Sequence, residues 1–155
     1  MRIKSIIAAA LLSVIVCTAA SAQTPAYREQ GYKGSAGFST YLFFPEIETV
    51  HGYMINSKHF VGGGLTLGGV DGTTLLTEHV DYNWYFLDRN NTPMVAAQLG
   101  MMQAFYSDGT DNLLFIKASF GWSWTIADRF GLTAGIGISL IGGYPIPSLS
   151  LMFEL

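Results

Sequence analysis

Charge is scarce in this chain. Asp, Glu, Lys and Arg make up 12% of its 155 residues, where about 25% is usual for soluble domains. Cysteine is nearly absent: Cys17 is the single one, so no disulfide framework can hold the domain together. Long apolar runs are missing as well. Outside the N-terminal segment nothing approaches about 18 consecutive apolar residues, which excludes a membrane-spanning helix. Basic residues are too few for a phosphate-binding surface, and nucleic acid is excluded as a partner. Three histidines are present, His51, His59 and His79, and none stands in an H-E-x-x-H pattern; no G-x-S-x-G occurs either.

What is abundant is apolar and aromatic character, 50% and 14% of the residues. The first 22 residues account for only part of it. Arg2 and Lys4 form a basic start, Ile6 to Val16 an apolar stretch, and Ala20-Ser21-Ala22 a small-x-small cleavage site. These are the three marks of a secretory signal peptide, with cleavage between Ala22 and Gln23. Val16 is a poor residue before a lipidated cysteine, so Cys17 reads as part of the apolar stretch. Residues 1–22 are then signal peptide, 23–30 a short N-terminal segment, and 31–155 one domain. The chain from Gln23 has 133 residues, with six basic and eleven acidic side chains, a net charge of −5.

Eight runs alternate with a period of two, the signature of strands. The stretch "FGWSWTIADRFGLTAGIGISL" shows it best. Phe120, Trp122, Trp124, Ile126, Phe130, Leu132, Ile136, Ile138 and Leu140 fall on one face, and only Gly, Ser and Thr on the other. Other runs cover roughly 32–44, 60–68, 76–87, 93–106 and 147–155. A run near Glu48 to Asn56 has no clear phase. Glycines inside the runs argue against helices. Short turns such as Asn56-Ser57-Lys58, Asp71-Gly72, Asp108-Gly109 and Gly142-Gly143 imply antiparallel neighbours.

A soluble barrel would turn its apolar faces inward and show water a face of Gly, Ser and Thr without charge. The opposite arrangement fits better: large apolar residues outward to lipid, small and polar ones inside a narrow lumen. A sheet in a bilayer cannot leave an edge open, so the first strand must pair with the last. The expected fold is therefore all-β, an eight-stranded antiparallel up-and-down transmembrane barrel. Both termini and the turns near 56–59, 88–92 and 127–129 are expected in the periplasm. The loops near 44–48, 69–75, 106–112 and 141–146 are expected outside.

Several residues follow from these phases. Tyr32, Trp84, Phe86, Trp124, Phe130 and Phe153 are expected to form an aromatic girdle at the periplasmic rim, and Phe44 and Phe105 to mark the outer rim. Lys33, His79, Asp81, Lys117 and Glu154 are the expected polar and charged residues of the lumen. Lys33 and Glu154, on neighbouring strands after closure, are expected to pair across the seam. Tyr41, Phe43, Tyr85 and Phe115 are expected to fill the interior, with no general porin channel. His79 and Asp81 share a face, read as a lumen pair and not as catalytic residues. The "DGTDN" stretch, Asp108 to Asn112, has oxygen donors for a weak calcium loop, but Asp-Gly turns need no metal. No catalytic residue, cofactor or metal is expected.

The stretches "HGYMINSKHFVGGGLTLGG", "DYNWYFLDRNNTPMVAAQLG", "DRFGLTAGIGISL" and "PSLSLMFEL", with the signal peptide, resemble the small outer-membrane β-barrel families of Gram-negative bacteria, of the OmpA and OmpX class. The resemblance implies location in the outer membrane and contact with its lipid. It also implies dependence on the export and barrel-assembly machinery. It departs at Leu155, where many such barrels end in an aromatic residue, and in its short outer loops. A non-enzymatic structural or interaction protein is the expected role. A lipid-modifying enzyme or apolar-ligand binder is the alternative, although the His-x-Ser pair of the barrel deacylases is absent. A soluble lipocalin-like periplasmic carrier is the third reading.

Overall fold

The computed structural model describes residues 28–41, 44–70, 72–127 and 130–155. The signal-peptide and cleavage assignments, Ala22 and Gln23 included, lie outside the described residues, as does Phe43. The described chain is all strand and turn: β1 (Gly31–Tyr41), β2 (Phe44–Asn56), β3 (His59–Val70), β4 (Thr73–Tyr85), β5 (Asn91–Phe105), β6 (Thr110–Ala127), β7 (Phe130–Ile141) and β8 (Tyr144–Glu154). Each strand pairs antiparallel with the next, and β1 pairs with β8 to close the barrel. The closing register runs from Ser35 opposite Glu154 to Tyr41 opposite Ser148. It is extended by Leu155 N–H donating to the Gly34 carbonyl at 2.9 Å. Among the described residues no strand is left with an open edge to pair with another chain.

Turn chemistry sets the hairpins. Ile141 is opposite Tyr144, so Gly142 and Gly143 alone make the β7–β8 turn. Their φ values of 58° and 92° lie in the left-handed region, which two-residue hairpins of this kind require and glycine enters without steric cost. At the other end Asn56 Oδ1 accepts hydrogen bonds from the N–H groups of Lys58 (2.9 Å) and His59 (3.1 Å), an Asx turn joining β2 to β3.

Alternation decides the two faces. Large apolar side chains from all eight strands point outward and are exposed, among them Phe38, Ile47, Val61, Val80, Leu99, Phe120, Ile136 and Leu149. The interior takes the opposite phase. At the end bearing the termini, Val50, Met54, Phe60, Tyr85 and Met94 form an apolar cluster. At the far end Tyr41, Met102 and Phe115 form another. Charged and polar side chains lie between and beside them, and the interior keeps a void of about 50 Å³. An eight-stranded barrel is only wide enough for side chains to fill it.

The structure corrects several expectations. Residues 44–48 are not a loop: β2 begins at Phe44, paired with Tyr41, and the β1–β2 connection is residues 42–43. Phe44 therefore faces inward and packs on the far-end cluster; it is no outer rim marker. β6 starts at Thr110 and β8 at Tyr144, so the far-end connections are shorter than expected. Phe86 lies just past β4 and not within it. Glu78, exposed between Leu65 and Met101 on the neighbouring strands, puts one carboxylate on the apolar outer face.

Candidate functional site

Two polar networks occupy the interior. The first braces the seam. Lys33 Nζ lies 2.8 Å from Glu154 Oε2, both side chains buried, and Lys33 also donates to the Tyr85 hydroxyl at 3.2 Å. The Tyr85 hydroxyl donates to Glu154 Oε1 at 3.2 Å, and Thr133 Oγ1 donates to the same oxygen at 2.6 Å. One carboxylate on the last strand thus collects donors from β1, β4 and β7. Lys33 further sits 4.9 Å from the centre of the Tyr85 ring, with the Arg28 guanidinium 5.4 Å from it. Arg28 reaches across the mouth to donate to the Leu87 carbonyl at 3.4 Å. This end of the barrel is stoppered by Arg28, Lys33 and Tyr85.

The second network lies at mid-barrel and joins four strands. Gln98 Nε2 on β5 donates to Glu48 Oε1 on β2 at 2.6 Å and to Asp81 Oδ2 on β4 at 2.9 Å. Lys117 Nζ on β6 is 3.7 Å from Glu48 Oε2. Asn83, with its amide turned to donate, reaches Asp81 Oδ1 at 3.1 Å. His79 Nε2 stands 3.5 Å from Glu48 Oε1 and 4.0 Å from Asp81 Oδ2. Its ring leans against Phe115 with centroids 6.2 Å apart. Gly64 makes room for it, because a Cβ there would meet the His79 ring.

The structure thus puts Lys33, His79, Asp81, Lys117 and Glu154 inside, buried. It brings Lys33 to Glu154, and it gathers His79, Asp81 and Lys117 into a second group, His79 near Asp81 and both His79 and Lys117 at Glu48. The sequence reading missed Glu46 and Glu48, both buried on β2, because β2 carries apolar residues on both faces and shows no phase. Glu46 stands apart, its Oε2 3.5 Å from Ser39 Oγ. Among the described residues, no nucleophilic hydroxyl is hydrogen-bonded to His79 or Asp81.

Tyr32, Trp84, Trp124, Phe130 and Phe153 are exposed on the outer face, and Phe86 is partly so. They sit towards the end that carries the termini. Two histidines join them, which the sequence reading did not foresee. His51 Nδ1 is 2.6 Å from the Tyr32 hydroxyl, and His59 Nδ1 is 2.8 Å from the Tyr82 hydroxyl. The His59 ring stacks on both Tyr82 and Trp84. Trp84 and Phe86 meet edge to face, centroids 4.9 Å apart. The belt is amphipathic: of these nine rings, all but Phe86, Phe130 and Phe153 carry a polar atom.

No protein-family model matches the chain by sequence, and no characterised protein matches it by sequence. Solved structures do match by fold. The N-terminal β-barrel domain of Pseudomonas aeruginosa OprF superposes with a TM-score of 0.64 at 14% identity, covering 82% of this chain and 98% of that one. Neisserial surface protein A gives 0.61 at 14% identity, covering 81% and 94%. The Yersinia pestis outer membrane protein Ail, determined in a phospholipid bilayer nanodisc, gives 0.54 at 12% identity, covering 81% and 98%. The fold is that of the small eight-stranded outer-membrane barrels.

Proposed function

We propose that this chain is an outer-membrane β-barrel with an occluded lumen, a structural or interaction protein of the cell envelope and not a general porin. The carrying observation is the outer face. Exposed large apolar side chains from all eight strands form a continuous belt, far beyond the isolated patches that a soluble monomer shows water. Hydrocarbon is the solvent that suits such a belt, and a closed barrel is the only sheet that hydrocarbon tolerates. The ring of Tyr32, His51, His59, Tyr82, Trp84 and Trp124 fits the headgroup level, where one part of each side chain is apolar and another polar. Short far-end turns leave little surface for an extended receptor or adhesin. The apolar contacts of Tyr41, Met102 and Phe115 fill the far mouth, which supports a plug more than a ligand pocket.

Termini in the periplasm, export by the N-terminal segment, insertion by the barrel-assembly machinery and embedding in outer-membrane lipid complete this reading. Fractionation tests it. The protein beginning at Gln23 should be found in the outer membrane, and its folded form should migrate differently from the boiled form on a detergent gel. Recovery as a soluble periplasmic monomer would contradict it and favour a carrier.

A further inference from the structure

We propose that the mid-barrel network is a binding site for one divalent transition-metal ion, held by Glu48, His79 and Asp81 with Gln98 as a further donor. One ligand atom from each of the first three lies within 4.8 Å of the others. Tetrahedral zinc ligands at about 2.0–2.1 Å from the metal stand roughly 3.3 Å apart. The 3.5 and 4.0 Å separations from His79 Nε2 to the two carboxylate oxygens are close to that edge.

The independent observation is His79 itself. Its side chain has no exposed surface, and neither ring nitrogen finds a hydrogen-bond partner of good geometry. A buried imidazole almost always satisfies at least one ring nitrogen. Here Nε2 is aimed between two carboxylates at the distance an intervening cation would set. The Gln98 amide already bridges the same two oxygens; a half-turn of that amide would present its carbonyl oxygen instead. Glu48 divides its work, with Oε2 towards Lys117 and Oε1 towards His79. Lys117 would then orient a ligand without competing for the metal-facing oxygen.

Charge points the same way. Glu48 and Asp81 are both buried in this network, and Lys117 is the lysine that meets it, at Glu48. Uncompensated buried carboxylates are costly. A divalent ion would offset the excess. One imidazole with carboxylate and amide oxygens is a donor set for zinc, manganese or ferrous iron, and not for a thiolate-seeking ion. The adjoining void, lined by Glu48, Asp81, Gln98 and Lys117, leaves space for a bound water. Such an ion would tie β2, β4 and β5 together across the lumen. Because apolar clusters pack in the lumen on either side of the site, the ion would enter as the barrel closes.

The test is refolding of the chain beginning at Gln23 into detergent micelles with zinc, followed by chelator washing and metal counting on the folded band. About one zinc per folded chain is expected, as for a structural site. Folded His79→Gln should retain only background metal, while a His51→Ala/His59→Ala double variant should retain it all. Zinc X-ray absorption on the wild-type protein needs no variant, and should show one imidazole among oxygen donors. Background zinc in the folded wild type, undiminished zinc in folded His79→Gln, or a zinc shell with no imidazole or with two would each overturn the site.

Discussion

Glu154 is the residue on which closure turns. Its two carboxylate oxygens accept from Lys33, Tyr85 and Thr133, so three strands are fastened to the last one at a single point. Groups that share partners in this way couple, with non-additive energies of about 0.5–3 kcal/mol. Lys33→Ala and Glu154→Ala should each destabilise the folded barrel, because each leaves a buried partner without its counter-charge. The double variant should lose less than the two singles combined, as read by urea unfolding in detergent. Strict additivity would mean that the pair does not act as a pair. This contact was legible in the sequence: both residues have the inward phase, and closure makes their strands neighbours. Glu48 was not legible. In "FPEIETVHGYMIN" the inward set is Phe44, Glu46, Glu48, Val50 and Met54, polar towards mid-barrel and apolar towards the terminal end. The outward set is mixed too, with His51 among Ile47, Tyr53 and Ile55. A strand that crosses both a polar layer and an apolar plug has no single inner chemistry, so its period of two is hidden.

Among the elements, β7 tests both faces at once. Its outward Ile136 is 63% exposed, and lysine there would place a charge in hydrocarbon at a cost of about 2–4 kcal/mol near the bilayer midplane. Ile136→Lys should lower the folded fraction in lipid vesicles by a corresponding amount. On the inner face two glycines two residues apart should behave differently. A Cβ at Gly137 would run into the Ala118 carbonyl and Ser119, backbone that cannot step aside. A Cβ at Gly135 would meet the Ser150 hydroxyl at 3.1 Å, a side chain that can rotate away. Gly137→Ala should therefore destabilise clearly more than Gly135→Ala in urea titrations of the vesicle-folded protein; equal effects would mean that the β6–β7 approach is looser than described. The alternation of β7 gave away its faces in sequence. Its tight approach to β6 did not show, because the register that sets Gly137 opposite Ser119 is a property of the assembled sheet.

For the whole molecule, an apolar cluster at each end and a polar layer between them leave, among the described residues, a void of about 50 Å³, room for a few waters but not for a wide channel. Purified protein in planar bilayers should give no large, stable conductance, and a reproducible porin-sized channel would mean that the plugs yield. Barrel class and strand number were legible from eight alternating runs, whereas the layering of the interior needed the closed register. The claim beneath all of this is that the outer belt lies in hydrocarbon, and the protein carries its own probes. Its three tryptophans, Trp84, Trp122 and Trp124, all point outward, 37–44% exposed. The most direct measurement is tryptophan fluorescence of the wild-type protein folded into vesicles whose acyl chains are brominated. Strong quenching by the brominated chains, with protection from aqueous acrylamide, is the expected result. Tryptophans untouched by brominated lipid and open to acrylamide would place the belt in water and contradict the membrane reading.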